Sequence, residues 1–192
     1  MQNIFPILLL FAIIASSCDG EQPSDQNLFD PHLWKHVETA KGDLNADGNA
    51  DEILLFQERQ VMASSENGIA FERRRILVIL SRDSGQPRII SDSTCLPERG
   101  TLGIREYVMP SIRDGKLYIT VEGGSNAESF SKLYTFRLDQ DRLILIGFDA
   151  RIGITDISYN LLTGAYVENG QKLDRNTGKQ YTLTNYCHSD FE

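Results

Sequence analysis

The 192-residue sequence is poor in several things, and each shortage excludes a class. Helical periodicity is nearly missing. Positive charge is scarce: 19 Lys and Arg stand against 27 Asp and Glu, a net charge of −8. That balance excludes a nucleic-acid partner, because binding phosphates needs a basic face that releases counterions. The longest apolar run, from Ile4 to Ala15, is 12 residues, whereas a spanning helix needs about 20. No G-x-S-x-G nucleophile elbow is present, and no glycine loop is followed by a phosphate-binding Lys. No repeat recurs at a fixed period, so a full regular propeller is not supported.

What remains describes an ordinary globular chain, 41% hydrophobic and 24% charged, long enough for one domain with a core that is stable without many crosslinks. Residues 1–17 have the short apolar centre of a secretory signal. Ile14-Ala15-Ser16-Ser17-Cys18 then places small residues directly before a cysteine. This resembles the lipobox of bacterial lipoproteins. The resemblance implies cleavage before Cys18, a lipid on its thiol and acylation of the new amino group. Ala15 stands where Leu is commoner, and the other reading is a plain signal cut near Ser17. Two or more acyl chains would hold the protein to a bilayer without crossing it. Residues 18–27 are polar and read as a flexible tether. Asp19 resembles the inner-membrane retention signal of some enteric bacteria.

With Cys18 lipidated, Cys95 and Cys187 remain, in an oxidising compartment. As a disulfide they would close a loop of 187 − 95 = 92 residues; the alternative is two separate thiols.

The one helical signal is 30–36, where Asp30 is a candidate N-cap and Pro31 a first helical residue. From there strands dominate. Residues 53–56 and 76–80 are continuous apolar runs, as in strands covered on both faces. Residues 116–122 and 133–138 alternate, and 143–148 follows as a third strand. Asp114-Gly115, Asp139-Gln140-Asp141 and Asn169-Gly170 are turns too short for parallel crossovers. The expectation is therefore all-β: an antiparallel meander of short strands over 28–192, sandwich-like or propeller-blade-like, with at most one short N-terminal helix.

Chemistry concentrates in GDLNADGNADEI, residues 42–53. Side-chain oxygens fall at Asp43, Asn45, Asp47 and Asp51, positions 1, 3, 5 and 9 of a loop. Gly48 at position 6 permits a sharp bend, and Asn49 at position 7 offers a carbonyl. Calcium takes six to eight oxygens, and three close carboxylates repel without a cation. An EF-hand is excluded, since Leu54 stands at position 12 and no helix flanks the loop. The segment resembles the calcium loops of FG-GAP and VCBS-type repeats. That resemblance implies Asp43, Asn45, Asp47, Asn49 and Asp51 as ligands of one structural Ca²⁺. A turn held by Asx hydrogen bonds with no ion is the alternative.

The remaining candidates are weaker. His32 and His36 share an i, i+4 spacing without the Glu of a zinc hydrolase, and read as surface histidines. Arg73-Arg74-Arg75 reads as a solvated strand entrance. Tyr107, Tyr118, Tyr134 and Phe148 read as core, and Gly123-Gly124-Ser125 as a loop. Residues 145–149 and the 134–138 strand loosely resemble uncharacterised envelope lipoproteins.

The expected protein is a lipid-anchored module of the bacterial cell envelope. It is held to a bilayer through Cys18 and acts as a non-enzymatic binding or scaffolding module, its β-domain recognising an envelope protein or glycan. A hydrolase with dispersed acids and a periplasmic inhibitor of a lytic enzyme are the alternatives.

Overall fold

The computed structural model describes residues 30–59, 62–63, 70–71, 73–82, 85–94, 96, 107–124, 129–174 and 180–186. Cys18, Cys95 and Cys187 lie outside these, as do residues 1–27, so the signal, tether, lipidation and disulfide expectations fall beyond the described residues.

The described chain is all-β, with thirteen strands and no helix. A four-stranded antiparallel sheet has the order β1 (Trp34–Gly42), β2 (Asp51–Glu58), β5 (Arg74–Leu80), β6 (Arg88–Ser93). A short ribbon of β3 (Met62–Ala63) and β4 (Ala70–Phe71) lies between β2 and β5 in sequence. The second sheet is an unbroken meander of seven neighbours: β7 (Tyr107–Arg113), β8 (Lys116–Gly123), β9 (Phe130–Asp139), β10 (Arg142–Ile152), β11 (Thr155–Asn160), β12 (Ala165–Glu168) and β13 (Gln171–Asp174). The meander follows from turn chemistry. Asp114-Gly115 and Asn169-Gly170 both adopt positive φ at each residue (51° and 65°, 47° and 79°). Two-residue hairpins of type I′ require this, and it matches the strand twist.

The two sheets share one core. Ile53, Leu55, Ile76 and Val78 of the smaller sheet meet Leu117, Ile119, Tyr134, Phe136 and Phe148 of the larger. The architecture is thus a sandwich without barrel closure. Its β1–β7 corner is closed by Gly42, where a Cβ would lie 2.8 Å from both Cβ and Cγ2 of Ile112. No side chain fits there, so the β1 edge descends onto β7 only because this position is glycine.

A bulge between Leu145 and Gly147 divides β10. Beyond it, Gly147 to Ile152 pairs with β11. Before it, the free edge is taken by the C-terminal segment: Leu145 N donates to Tyr181 O (2.9 Å) and Leu183 N to Leu143 O (2.9 Å). Ser93 Oγ on β6 donates to Leu183 O at 2.7 Å, so this segment stitches one sheet to the other. Tyr186 is fully buried, its ring 5.0 Å from Tyr134 and 5.4 Å from Phe136.

Three expectations change. Residues 30–33 form one hydrogen-bonded turn leading into β1, with Leu33 N and Trp34 N both donating to Asp30 O (3.0 Å). Asp30 caps that turn by accepting from His32 N, but edge pairing with β2 overrides a helix. The Arg73–Arg75 run is a solvated entrance only at Arg73, which is exposed while it forks onto Glu58; Arg74 is buried and half-buried Arg75 pairs with Asp92. Of the four aromatics, Tyr134 and Phe148 are core, but Tyr107 is exposed and Tyr118 is half-buried on the outer face under the Arg113 guanidinium. The strand 76–80 is covered on both sides as expected, since Leu77 is buried opposite Ile76 and Val78.

Candidate functional site

The acidic loop joins β1 to β2 across the pair Gly42–Asp51. Leu44 is buried and pins it to the core, while Ala46 and Gly48 take left-handed backbone (φ 61° and 88°) that folds the chain tightly. Its polar side chains accept from the loop's own amides. Asp43 receives Asp47 N (3.2 Å) and Gly48 N (2.9 Å) on separate oxygens. Asn45 Oδ1 receives Asp47 N (3.0 Å), and Asn45 Nδ2 donates to Asp47 Oδ2 (2.8 Å). Asp47 Oδ1 receives Asn49 N (2.8 Å). That amide, with the Asn45 side chain, holds the Asp47 carboxyl below the usual carboxylate range.

Asp51 behaves differently. It is fully buried, with one oxygen accepting from Leu44 N (2.8 Å) and the other from Ser81 N (2.9 Å). Asp43, Asn45 and Asp47 therefore form an outer rim, while Asp51 faces the end of β5. Among the described residues no three His, Cys, Asp or Glu side chains are gathered to hold a metal. A hard cation would have to draw on Asp43, Asn45 and Asp47, whose side-chain oxygens already accept hydrogen bonds within the loop, because both Asp51 oxygens are committed to backbone amides. His32 and His36 do not share a helix face. His36 Nε2 lies 2.8 Å from Thr39 Oγ1 and its ring packs edgewise on Phe56, whereas His32 is exposed in the turn.

A second feature lies on the outer face of the seven-stranded sheet. Strand register places Glu122, Ser131, Arg151 and Asp156 in one row and Leu133, Asp149, Ser158 and Val167 in the next. Between them runs a groove of about 450 Å³. A smaller one of about 250 Å³ adjoins it at Ser131 and Arg151 and is bounded by Glu122 and Phe130. Arg151 forks onto Asp156 (2.7 and 3.3 Å), which holds that carboxyl below its ordinary range and the guanidinium above its own. Glu58 also sits low, held by Arg73. Asp47, Glu58 and Asp156 are each lowered by the hydrogen bonds their own neighbours donate.

Sequence reasoning located the loop but missed the groove. The signal existed: polar residues alternate through Asp149, Arg151, Asp156 and Ser158 on either side of a Gly153 turn. Comparison with family models, with curated proteins and with solved structures finds nothing that matches this chain.

Proposed function

We propose that this chain is a lipid-anchored protein of the bacterial cell envelope. It acts as a non-enzymatic binding module, with the outer face of the seven-stranded sheet as its binding surface. The observation that carries this reading is the groove between β9 and β12, which lies on the face turned away from the core and is lined by serines, charged groups and short apolar patches. The anchor rests on Cys18 and the small residues before it. A single Ca²⁺ at the rim of loop 43–51 braces β1 against β2, and its role is structural.

Two measurements test it. Mass spectrometry of the mature chain should find acylated Cys18 as the first residue; an unmodified N-terminus elsewhere would remove the anchor. Cosedimentation with isolated cell-wall sacculi and with solubilised envelope proteins should show binding that Ser158→Trp abolishes at unchanged melting temperature. Release of soluble fragments from sacculi would convert the module into an enzyme.

A further inference from the structure

The two adjoining grooves carry more charge information than a generic surface does. Four charged groups line them: Glu122, Asp149, Arg151 and Asp156. Arg151 and Asp156 neutralise one another through their fork. Glu122 and Asp149 are exposed, and neither has a hydrogen-bond or ion-pair partner among the described residues. They stand on β8 and β10, two strand steps and one residue pair apart, a Cα separation of about 12 Å. The strand between them, β9, contributes Ser131 opposite Glu122 and Leu133 opposite Asp149. Val167 lies beyond Asp149 on β12, whereas the Phe130 ring turns to the other face of β9, packing against the core beside Lys132.

Two unpartnered carboxylates on either side of half-buried Leu133 fit one chemistry: primary ammonium groups carried on aliphatic stems. The methylenes cover Leu133, and the charged ends reach the carboxylates, as long cationic side chains do on mixed surfaces. We infer that this double groove receives lysine side chains of a partner protein. The inference rests on the binding-module reading and names the chemistry of its partner. The source is a protein segment rather than a free amine, because the groove is open along the sheet face and admits an extended chain across several strands. The chain's net charge of −8 adds long-range attraction for such a basic segment.

The test uses the full chain and a pentalysine peptide, with a Gly-Ser peptide of equal length as control. Calorimetric titration should give binding to pentalysine that weakens as salt rises and no binding to the control. Combining Glu122→Gln with Asp149→Asn should weaken it on the order of tenfold, the sum of two exposed charge pairs. Combining Asp114→Asn with Asp139→Asn removes the same charge elsewhere and should leave affinity unchanged. Equal weakening by both pairs means diffuse attraction and overturns the proposal, as does binding of spermidine without binding of pentalysine. If pentalysine fails while Ser158→Trp still abolishes sacculus binding, the lysine assignment falls and the module itself stands.

Discussion

Asp51 and Ser81 tie the acidic loop to the body of the smaller sheet. The Ser81 amide donates to one oxygen of Asp51 while the Leu44 amide donates to the other, and the carboxylate is shut away from water. The Ser81 hydroxyl returns the contact by donating to Ala50 O. Removing the carboxylate strands two inward-facing amides. Asp51→Ala should therefore cost about 3 kcal/mol, two hydrogen bonds to a charged acceptor, and lower the melting temperature by about 10 °C. Calorimetry of the variant checks this; an unchanged melting point would mean water replaces both bonds.

Calcium should stabilise the native state increasingly with the logarithm of its concentration above the dissociation constant, since an ion bound only by the folded loop shifts the equilibrium by mass action. Millimolar calcium is expected to raise the melting temperature, EDTA to reverse it, and Asp47→Ala to abolish the response. Because Asn49 N–H and the Asn45 amide lower the Asp47 carboxyl in the folded chain, the stabilisation by ionised Asp47 is present above the ordinary value of 3.8 and lost as pH falls through its lower native one. Identical melting curves with calcium and with EDTA leave the loop as an Asx-bonded turn.

Glu58 and Arg73 make the clearest acid-sensitive pair. Glu58 is only 8% exposed and receives two guanidinium hydrogens at 2.9 and 2.6 Å. Its folded carboxyl ionises below the ordinary 4.5, so the native state binds fewer protons than the unfolded one in that range. The stabilisation is complete above pH 4.5 and disappears as acid protonates the folded group. Glu58→Gln should flatten the acid limb of a stability-versus-pH curve while lowering stability at neutral pH.

Gly42→Ala places a methyl group 2.8 Å from two carbons of Ile112. The β1–β7 corner must open, at a cost of about 1–3 kcal/mol. Adding Ile112→Ala removes one of the two clashing carbons and should recover part of the loss. A double-mutant cycle with no coupling would show that the corner gives way by backbone movement instead.

Tyr186→Ala removes a fully buried ring from between Tyr134 and Phe136 and should cost about 3–5 kcal/mol.

Much of the sandwich was legible because its signals are local. Alternation at 116–122 and 133–138 and the Asp114-Gly115 and Asn169-Gly170 turns each fix one hairpin without reference to the rest of the chain. The 30–36 segment misled because its capping residue and proline are real, and Asp30 does cap a turn. The outcome there depends on β2 lying alongside, a pairing more than twenty residues distant in sequence. The arginine run misled for the same reason, since Glu58 and Asp92 come from neighbouring strands. The loop's spacing was readable, but the inward turn of Asp51 toward Ser81 was not. That turn is set by where β5 ends.

The seam beside β10 has a consequence for how the molecule is made. Tyr181, Leu183 and Tyr186 are synthesised after every described strand, yet they fill the interior and bridge the two layers. A nascent polypeptide lacking them has an open flank on β10 and a hollow beside Tyr134, so the two layers stay unsealed until this segment has been made.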